Sequence, residues 1–322
     1  MSDRDIDVLV VGESLGLLVA DRPGRLAHVG GMRLGFGGAE GNVAIGVSRL
    51  DGAAAWIGRV GGDGIGELIV RELRAEGVET HPVVDEDAAT ALMLKERPLP
   101  GTSRITYYRT GQAGSRLAPD DISPDVVARA RILHITGISA GLGESPLAAA
   151  HAAIDHARAT GALVSFDVNH RRALWSDEAD ARAAYRGLAA RADIVFAGDD
   201  EAEMLTSETD ATRQLDAIRA LGAAHAIVKL GDRGATALDD EGRRTTRAAH
   251  RVDTVDTVGA GDAFVAGWLT ELARGGDADA RLDAAVACGA FACLGEGDWE
   301  SAPTAADIAW LRRGGAEDPV SR

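Results

Sequence analysis

The sequence predicts an α/β fold, a doubly wound and mostly parallel sheet flanked by helices with a small β-sheet lid, on three observations. Short apolar runs rich in β-branched residues alternate with alanine-rich helical stretches, which is the rhythm of strands joined by crossover helices. Two stretches, 15–34 and 90–109, break that rhythm and read as strand after strand. Insertions of this kind form a separate sheet over the carboxyl edge of the main one, where ligands of such folds bind. Finally, 322 residues are enough to bury a substantial core, and the whole chain, 1–322, reads as one domain carrying the two lid insertions.

The elements follow in order. DVLVVG makes the first strand, and the first lid stretch separates it from a helix spanning about Ala39 to Leu50. AAWIGRV is the next strand of the body, followed by a helix from about Ile65 to Glu76. In the second lid stretch TALMLKE and SRITYYR flank the turn RPLPGT, where Pro98, Pro100 and Gly101 interrupt pairing. ILHITG, ALVSFDV, DIVFAG and AIVKLG are further strands, each leading into a helical pattern or a turn. VDTV, residues 255–258, is strand-like and runs into a helix beginning near Asp262, with Phe264, Val265, Trp268, Leu269 and Leu272 on its apolar side and a stop at Gly275-Gly276. The last residues, EDPVSR, read as a loose tail.

With 34 Lys and Arg against 50 Asp and Glu, the formal charge is -16. That balance repels nucleic acid and anionic membrane surfaces, so the expected partner is a small molecule. Cys288 and Cys293 lack the paired spacing of a zinc or redox site and read as core residues. His134, His151 and His156 have no metal-ligand company and read as core or surface histidines. No apolar run reaches membrane length, and the acidic N-terminus enters a strand without a charged-then-apolar leader. A cytoplasmic location is the expectation.

Chemistry concentrates at Gly259-Ala260-Gly261-Asp262. Closely spaced glycines allow a sharp turn, and a helix that starts there leaves unpaired N–H groups beside the positive end of its dipole. Such donors suit a phosphoryl group in transfer, and Asp262 is placed to take the proton of an attacking hydroxyl. An ordinary glycine turn with an aspartate cap has the same letters.

The chain as a whole resembles the PfkB, or ribokinase-like, family of sugar kinases. The resemblance rests on Asp256-Thr257-Val258-Gly259-Ala260-Gly261-Asp262, which matches the family signature DTxGAGD, on GFGGAEGNVA (Gly35–Ala44), on VGGDGIG (Val60–Gly66) and on KLGDRGA (Lys229–Ala235). It implies a ribokinase-like fold and ATP-dependent phosphorylation of a sugar hydroxyl, with Asp262 as base, the amides of Gly259, Ala260 and Gly261 as anion hole, and Lys229, Gly231, Gly234 and Gly261 on the nucleotide side. The family's Asn-x-x-Glu appears as Gly198-Asp199-Asp200-Glu201, which leaves Glu201 to hold Mg²⁺ through water. Asp256 is the candidate ligand of a monovalent cation, or a turn-capping residue.

Four segments sharpen the resemblance toward 2-keto-3-deoxygluconate kinases: GGAEGN, TYYRTGQAGSRLAP, FDVNHR and GEGDWESAPT. They imply that Gly38 and Asn42 approach the sugar, that Tyr107 and Arg109 hold its keto-acid end, that Arg171 reaches the same ligand, and that Asp298 contacts a hydroxyl near Asp262. A guanidinium is a natural partner for a carboxylate, so an acidic sugar accounts for these cations in an acidic chain. Gly38 and Tyr107 also have packing readings, and Asp298 a turn reading. Arg97, Arg104 and Arg116 read as solvated surface residues. The rivals are a kinase for a neutral sugar such as fructose or ribose, a kinase for 5-dehydro-2-deoxygluconate, and a sugar-binding regulator without catalysis. Exposed lid edges favour a homo-oligomer assembled through the lid.

Overall fold

The computed structural model describes residues 4–99 and 102–312. Pro100 and Gly101 of the expected lid turn and the tail segment EDPVSR lie outside the described residues. The strands are β1 Ile6–Val11, β2 Leu15–Ala20, β3 Met32–Gly37, β4 Ala54–Gly61, β5 Glu79–Asp85, β6 Leu92–Glu96, β7 Arg104–Tyr108, β8 Ala130–Thr136, β9 Leu163–Asp167, β10 Ile194–Gly198, β11 His225–Lys229, β12 Ala235–Leu238 and β13 Arg244–Arg247. The helices are α1 Ala39–Arg49, α2 Gly64–Ala75, α3 Pro124–Ala128, α4 Gly137–Leu142, α5 Glu144–Thr160, α6 Glu178–Ala189, α7 Asp199–Thr206, α8 Ala211–Leu221, α9 Ala260–Ala273, α10 Ala278–Ala292 and α11 Ala305–Arg312.

Among the described residues the main sheet runs β13-β12-β11-β10-β9-β8-β1-β4-β5. All pairings from β11 to β5 are parallel, and β12 and β13 close the other edge as an antiparallel hairpin. Alternate side chains of a strand leave on opposite faces. Leu9 and Val11 of β1 join one buried cluster with Ile154 of α5, Tyr185 of α6 and Leu215 of α8. Val8 and Val10 join the other, with Ile45 of α1, Leu73 of α2 and Trp268 of α9. Both faces are covered, which is why the strands read as continuous apolar runs.

Strand order reverses between β1 and β8: β4 and β5 continue to one side, β9 to β11 to the other. At such a point the carboxyl ends of neighbouring strands part and leave a crevice. The second sheet, β3-β2-β6-β7, is the lid. Leu15, Leu17, Ala91 and Met93 form its own small core, with Tyr107 against it.

Two sequence expectations change, and one strand appears that the sequence reading did not include. The first lid stretch runs on to Gly37, so the glycine motif begins on a lid strand. Residues 255–258 form no strand and α9 starts at Ala260, two residues early; β-branched residues favour strands only where a neighbouring strand can pair with them. β5 contains Pro82 and forms nonetheless, because it is an edge strand and proline's missing donor costs nothing on the open side. Cys288 is buried in α10 and Cys293 is half-buried just beyond it, with no disulfide between them. No described helix is long and apolar enough to cross a membrane.

Candidate active site

A cavity of about 510 Å³ opens at the switch point between sheet and lid. Glu13 follows β1, Asp167 ends β9, Lys229 ends β11, Asn42 lies in α1, Asp262 lies in the first turn of α9, and Tyr107 comes from the lid; all six line it. Residues far apart in sequence meet there because parallel strands bring their carboxyl ends to one edge.

Gly259 caps α9 in the left-handed region, at φ 75°. A Cβ there would fall 1.8 Å from the carbonyl oxygen of Asp298, so both conformation and space demand glycine. Of the expected anion-hole amides, Ala260 N–H is already spent on the carbonyl of Thr257, at 3.3 Å. The N–H groups of Gly259, Gly261 and Asp262 have no acceptor among the described residues. Those three are therefore the donors available to an anion, with the helix dipole behind them.

The Asp262 carboxylate is 8% exposed and accepts a hydrogen bond from Asn42 Nδ2 at 2.8 Å and a long one from Asn169 Nδ2 at 3.5 Å. Burial pushes its pKa up to about 6, against the Asn42 hydrogen bond and the charge of Arg171. Asn169 holds this position with φ 41°, a left-handed conformation that a non-glycine residue adopts at a cost. Asp298 also lines the cavity, and burial followed by the charge of Asp262 raises it to about 7.

Lys229 Nζ lies 2.7 and 2.9 Å from the two carboxylate oxygens of Asp167. Burial works against its charge, but Asp167 and Glu201 more than offset that and raise its pKa. The ammonium lines the same cavity as Asp262. Gly231 and Gly234 sit at the turn between β11 and β12, outside the cavity lining.

Arg109 is buried and stands 5.0 Å from the centre of the Tyr107 ring. Its guanidinium is ion-paired to Glu13, a partner the sequence did not reveal. Burial raises the Glu13 pKa against the pull of Arg109. Beside them Glu40 accepts from Thr136 Oγ1 at 2.7 Å and is pushed by burial to about 7. Arg171, by contrast, forms no ion pair among the described residues: its side chain donates to the carbonyl of His170 at 3.2 Å, and its charge is felt by Asp262. The cavity's uncommitted guanidinium is therefore Arg171 rather than Arg109. Gly38 borders the cavity with φ 131°, and a Cβ on it would lie 2.6 Å from the Glu13 carbonyl oxygen. Its packing role is thus visible beside any contact with a ligand.

Arg97 pairs with Glu296 and Arg116 with Asp85, while Arg104 is exposed. His134 is fully buried, bonded to Ser165, and burial lowers it to about 3.

Glu201 does not line the cavity; its two oxygens accept the N–H groups of His170 and Gly198, each at 2.7 Å. Each oxygen keeps one lone pair, which suits a metal-bound water better than a direct bond. No group of three or more metal-type side chains gathers among the described residues. Asp256 suits a metal ion less well: one oxygen accepts Val258 N–H at 3.2 Å and the other faces Lys95 Nζ at 2.6 Å.

Residues 5–305 match the family described as pfkB family carbohydrate kinase. The chain is 33% identical to the 2-dehydro-3-deoxygluconokinase of Bacillus subtilis (strain 168), over 94% of both chains. It is 36% identical to that of Thermoproteus tenax, over 93% of this chain and 92% of the relative. Fructokinase-2 of Solanum lycopersicum is 32% identical over 90% of this chain and 91% of its own. Among solved structures, a fructokinase with bound ATP from Xylella fastidiosa superposes with a TM-score of 0.85 at 25% identity, covering 97% of this chain and 99% of its own.

Proposed function

The chain belongs to the PfkB family of carbohydrate kinases, with the ribokinase-like fold of its structural neighbours, and from that premise we propose that it transfers the γ-phosphoryl group of ATP to a primary hydroxyl of an acidic keto-sugar, 2-keto-3-deoxygluconate at its sixth carbon. The observation that carries this reading is the uncommitted Arg171 in the same cavity as Asp262 and the free amides of Gly261 and Asp262. A carboxylate at one end of a sugar and a hydroxyl at the other would meet complementary groups at both.

The chemistry is a single displacement. The sugar oxygen attacks the γ-phosphorus as Asp262 takes its proton, the bond to the bridging oxygen breaks, and ADP leaves with the electron pair. The Gly261 and Asp262 amides and Lys229 face the charge that spreads over the transferring group. Mg²⁺, when bound, neutralises nucleotide phosphate charge, and Glu201 would hold it through water. Asn42 keeps the Asp262 carboxylate turned into the cavity.

A second reading, a fructokinase, draws on two observations: Arg109 spends its charge on Glu13, and fructokinases are among the relatives. An ADP-release assay with 2-keto-3-deoxygluconate, 5-dehydro-2-deoxygluconate, fructose and ribose separates the cases. The keto-acid should exceed fructose in kcat/KM by at least about tenfold, the value of one good charged contact. Arg171→Ala should erase most of that margin. Equal weakening of acidic and neutral sugars would remove the carboxylate argument, and no ADP release with any sugar would favour a non-catalytic regulator.

Assembly through the lid is part of the same proposal. Leu34 and Tyr108 are exposed, and strand register puts them with Leu18, Leu92 and Leu94 on the lid face opposite Met93 and Tyr107. Size-exclusion chromatography with light scattering should give at least a dimer, and Leu34→Glu combined with Tyr108→Glu should give a monomer.

A further inference from the structure

We propose that Lys95 is a built-in counter-cation for Asp256, so that an ammonium carried by the lid does for the phosphate-receiving turn what a bound monovalent metal ion would otherwise do. The inference rests on the kinase reading for its activity arm only. Lys95 lies on β6 and Asp256 three residues before Gly259, separated by 161 positions, with Nζ 2.6 Å from Oδ2. The lysine side chain is 6% exposed and the aspartate 19%. The other oxygen, Oδ1, accepts the N–H of Val258, so both carboxylate oxygens are engaged.

The turn that follows has little freedom left. Ala260 N–H is bonded to the Thr257 carbonyl, the Asp298 carbonyl leaves no room for a side chain on Gly259, and Val255 N–H is bonded to the Cys293 carbonyl at 2.8 Å. Asp256 anchors the first residue of that turn, and its charge must be balanced for the anchor to stay inside. A potassium ion would supply one positive charge from solution. Lys95 supplies one positive charge on a tether, from the sheet that covers the sugar side of the cavity. Lys95 also borders a second cavity of about 310 Å³ with Arg97 and Asp298. Two consequences follow: the turn needs no metal ion at Asp256, and its geometry depends on the lid strand being in place. Lys95 is a positioning residue, acting on the amides of Gly261 and Asp262 through Asp256.

The test compares KCl with tetramethylammonium chloride at equal ionic strength, measuring kcat and, without substrates, the melting temperature. Wild type should show the same kcat within about twofold and the same melting temperature in both salts. Lys95→Met should lose about tenfold or more in kcat in tetramethylammonium chloride, as misplacement of a catalytic loop does. Potassium should recover several-fold of that loss and raise the variant's melting temperature. Several-fold activation of wild type by potassium would overturn the proposal. So would a Lys95→Met enzyme with wild-type kcat in tetramethylammonium chloride, or one whose loss and melting temperature potassium does not move. If the methionine variant does not fold, the salt exchange on wild type and on Lys95→Arg still decides, since both keep the ammonium or its equivalent charge. A wild type that phosphorylates no sugar would remove the kinase reading alone, because the melting-temperature arm reads the pair without catalysis.

Discussion

Asp262→Asn should lower kcat by on the order of a hundredfold or more while leaving the melting temperature near that of wild type. The substitution keeps shape and volume, and the new amide oxygen can still accept from Asn42 Nδ2, which now bonds the carboxylate at 2.8 Å. What disappears is the lone pair that takes the hydroxyl proton. Because binding of sugar and nucleotide does not use that lone pair, KM should change little and kcat/KM should fall with kcat. The pH profile gives an independent reading. Asp262 works as the anion and is raised to about 6, so wild-type kcat/KM should be level above pH 7 and fall about tenfold per unit below pH 6. Asp298, raised to about 7, is the nearby rival, and its protonation would move the limb upward by about a unit. Turnover of Asp262→Asn within tenfold of wild type, or a profile flat from pH 5 to 7, would place the base elsewhere.

Much of this site was legible because its local requirements are written in adjacent letters. Gly259 must be glycine for reasons of φ and of the Asp298 carbonyl, and a glycine-rich turn ahead of an apolar helix shows itself without a structure. Six of the nine strands of the main sheet, β1, β4, β8, β9, β10 and β11, were legible for a similar reason, since each lies inside the sheet, covered on both faces, and reads as an apolar run. What escaped notice is held by pairs that only folding brings together. Glu13 and Arg109 are 96 residues apart, Lys229 and Asp167 are 62 apart, and Lys95 and Asp256 are 161 apart. A signal for Glu13 existed: an acidic residue directly after the first strand falls at the carboxyl edge, where the crevice of such a sheet must lie. Lys95 had no local signal, because an alternating lid strand carries a lysine as readily on its outer face as on its inner one.

The Glu13–Arg109 pair sets the second large expectation, a loss of about 3–5 kcal/mol of folding stability in Arg109→Met, the usual cost of stranding one member of a buried ion pair. Both side chains are nearly inaccessible, at 0% for Glu13 and 6% for Arg109. Methionine keeps most of the arginine's volume and its contact with Tyr107, so the deficit comes from charge rather than from a cavity. The sign of its pH dependence follows. Burial already raises Glu13 above its ordinary 4.5 and Arg109 pulls it down; without Arg109 the folded-state value climbs further above the unfolded one. Protonation then favours the folded state, so the variant should be most stable below about pH 4.5 relative to wild type and should lose ground as pH rises through the raised value. Denaturant midpoints at pH 5 and pH 8 measure the effect, with the wider gap between variant and wild type expected at pH 8. Adding Glu13→Gln to Arg109→Met should restore a large part of the loss, since a neutral amide needs no counter-charge, and the pH dependence of the deficit should vanish with it. A single variant as stable as wild type at pH 8 would show that Glu13 is neutral in the folded protein. Arg109 would then carry an unspent charge into the cavity, and the grip on a sugar carboxylate would pass back to it from Arg171.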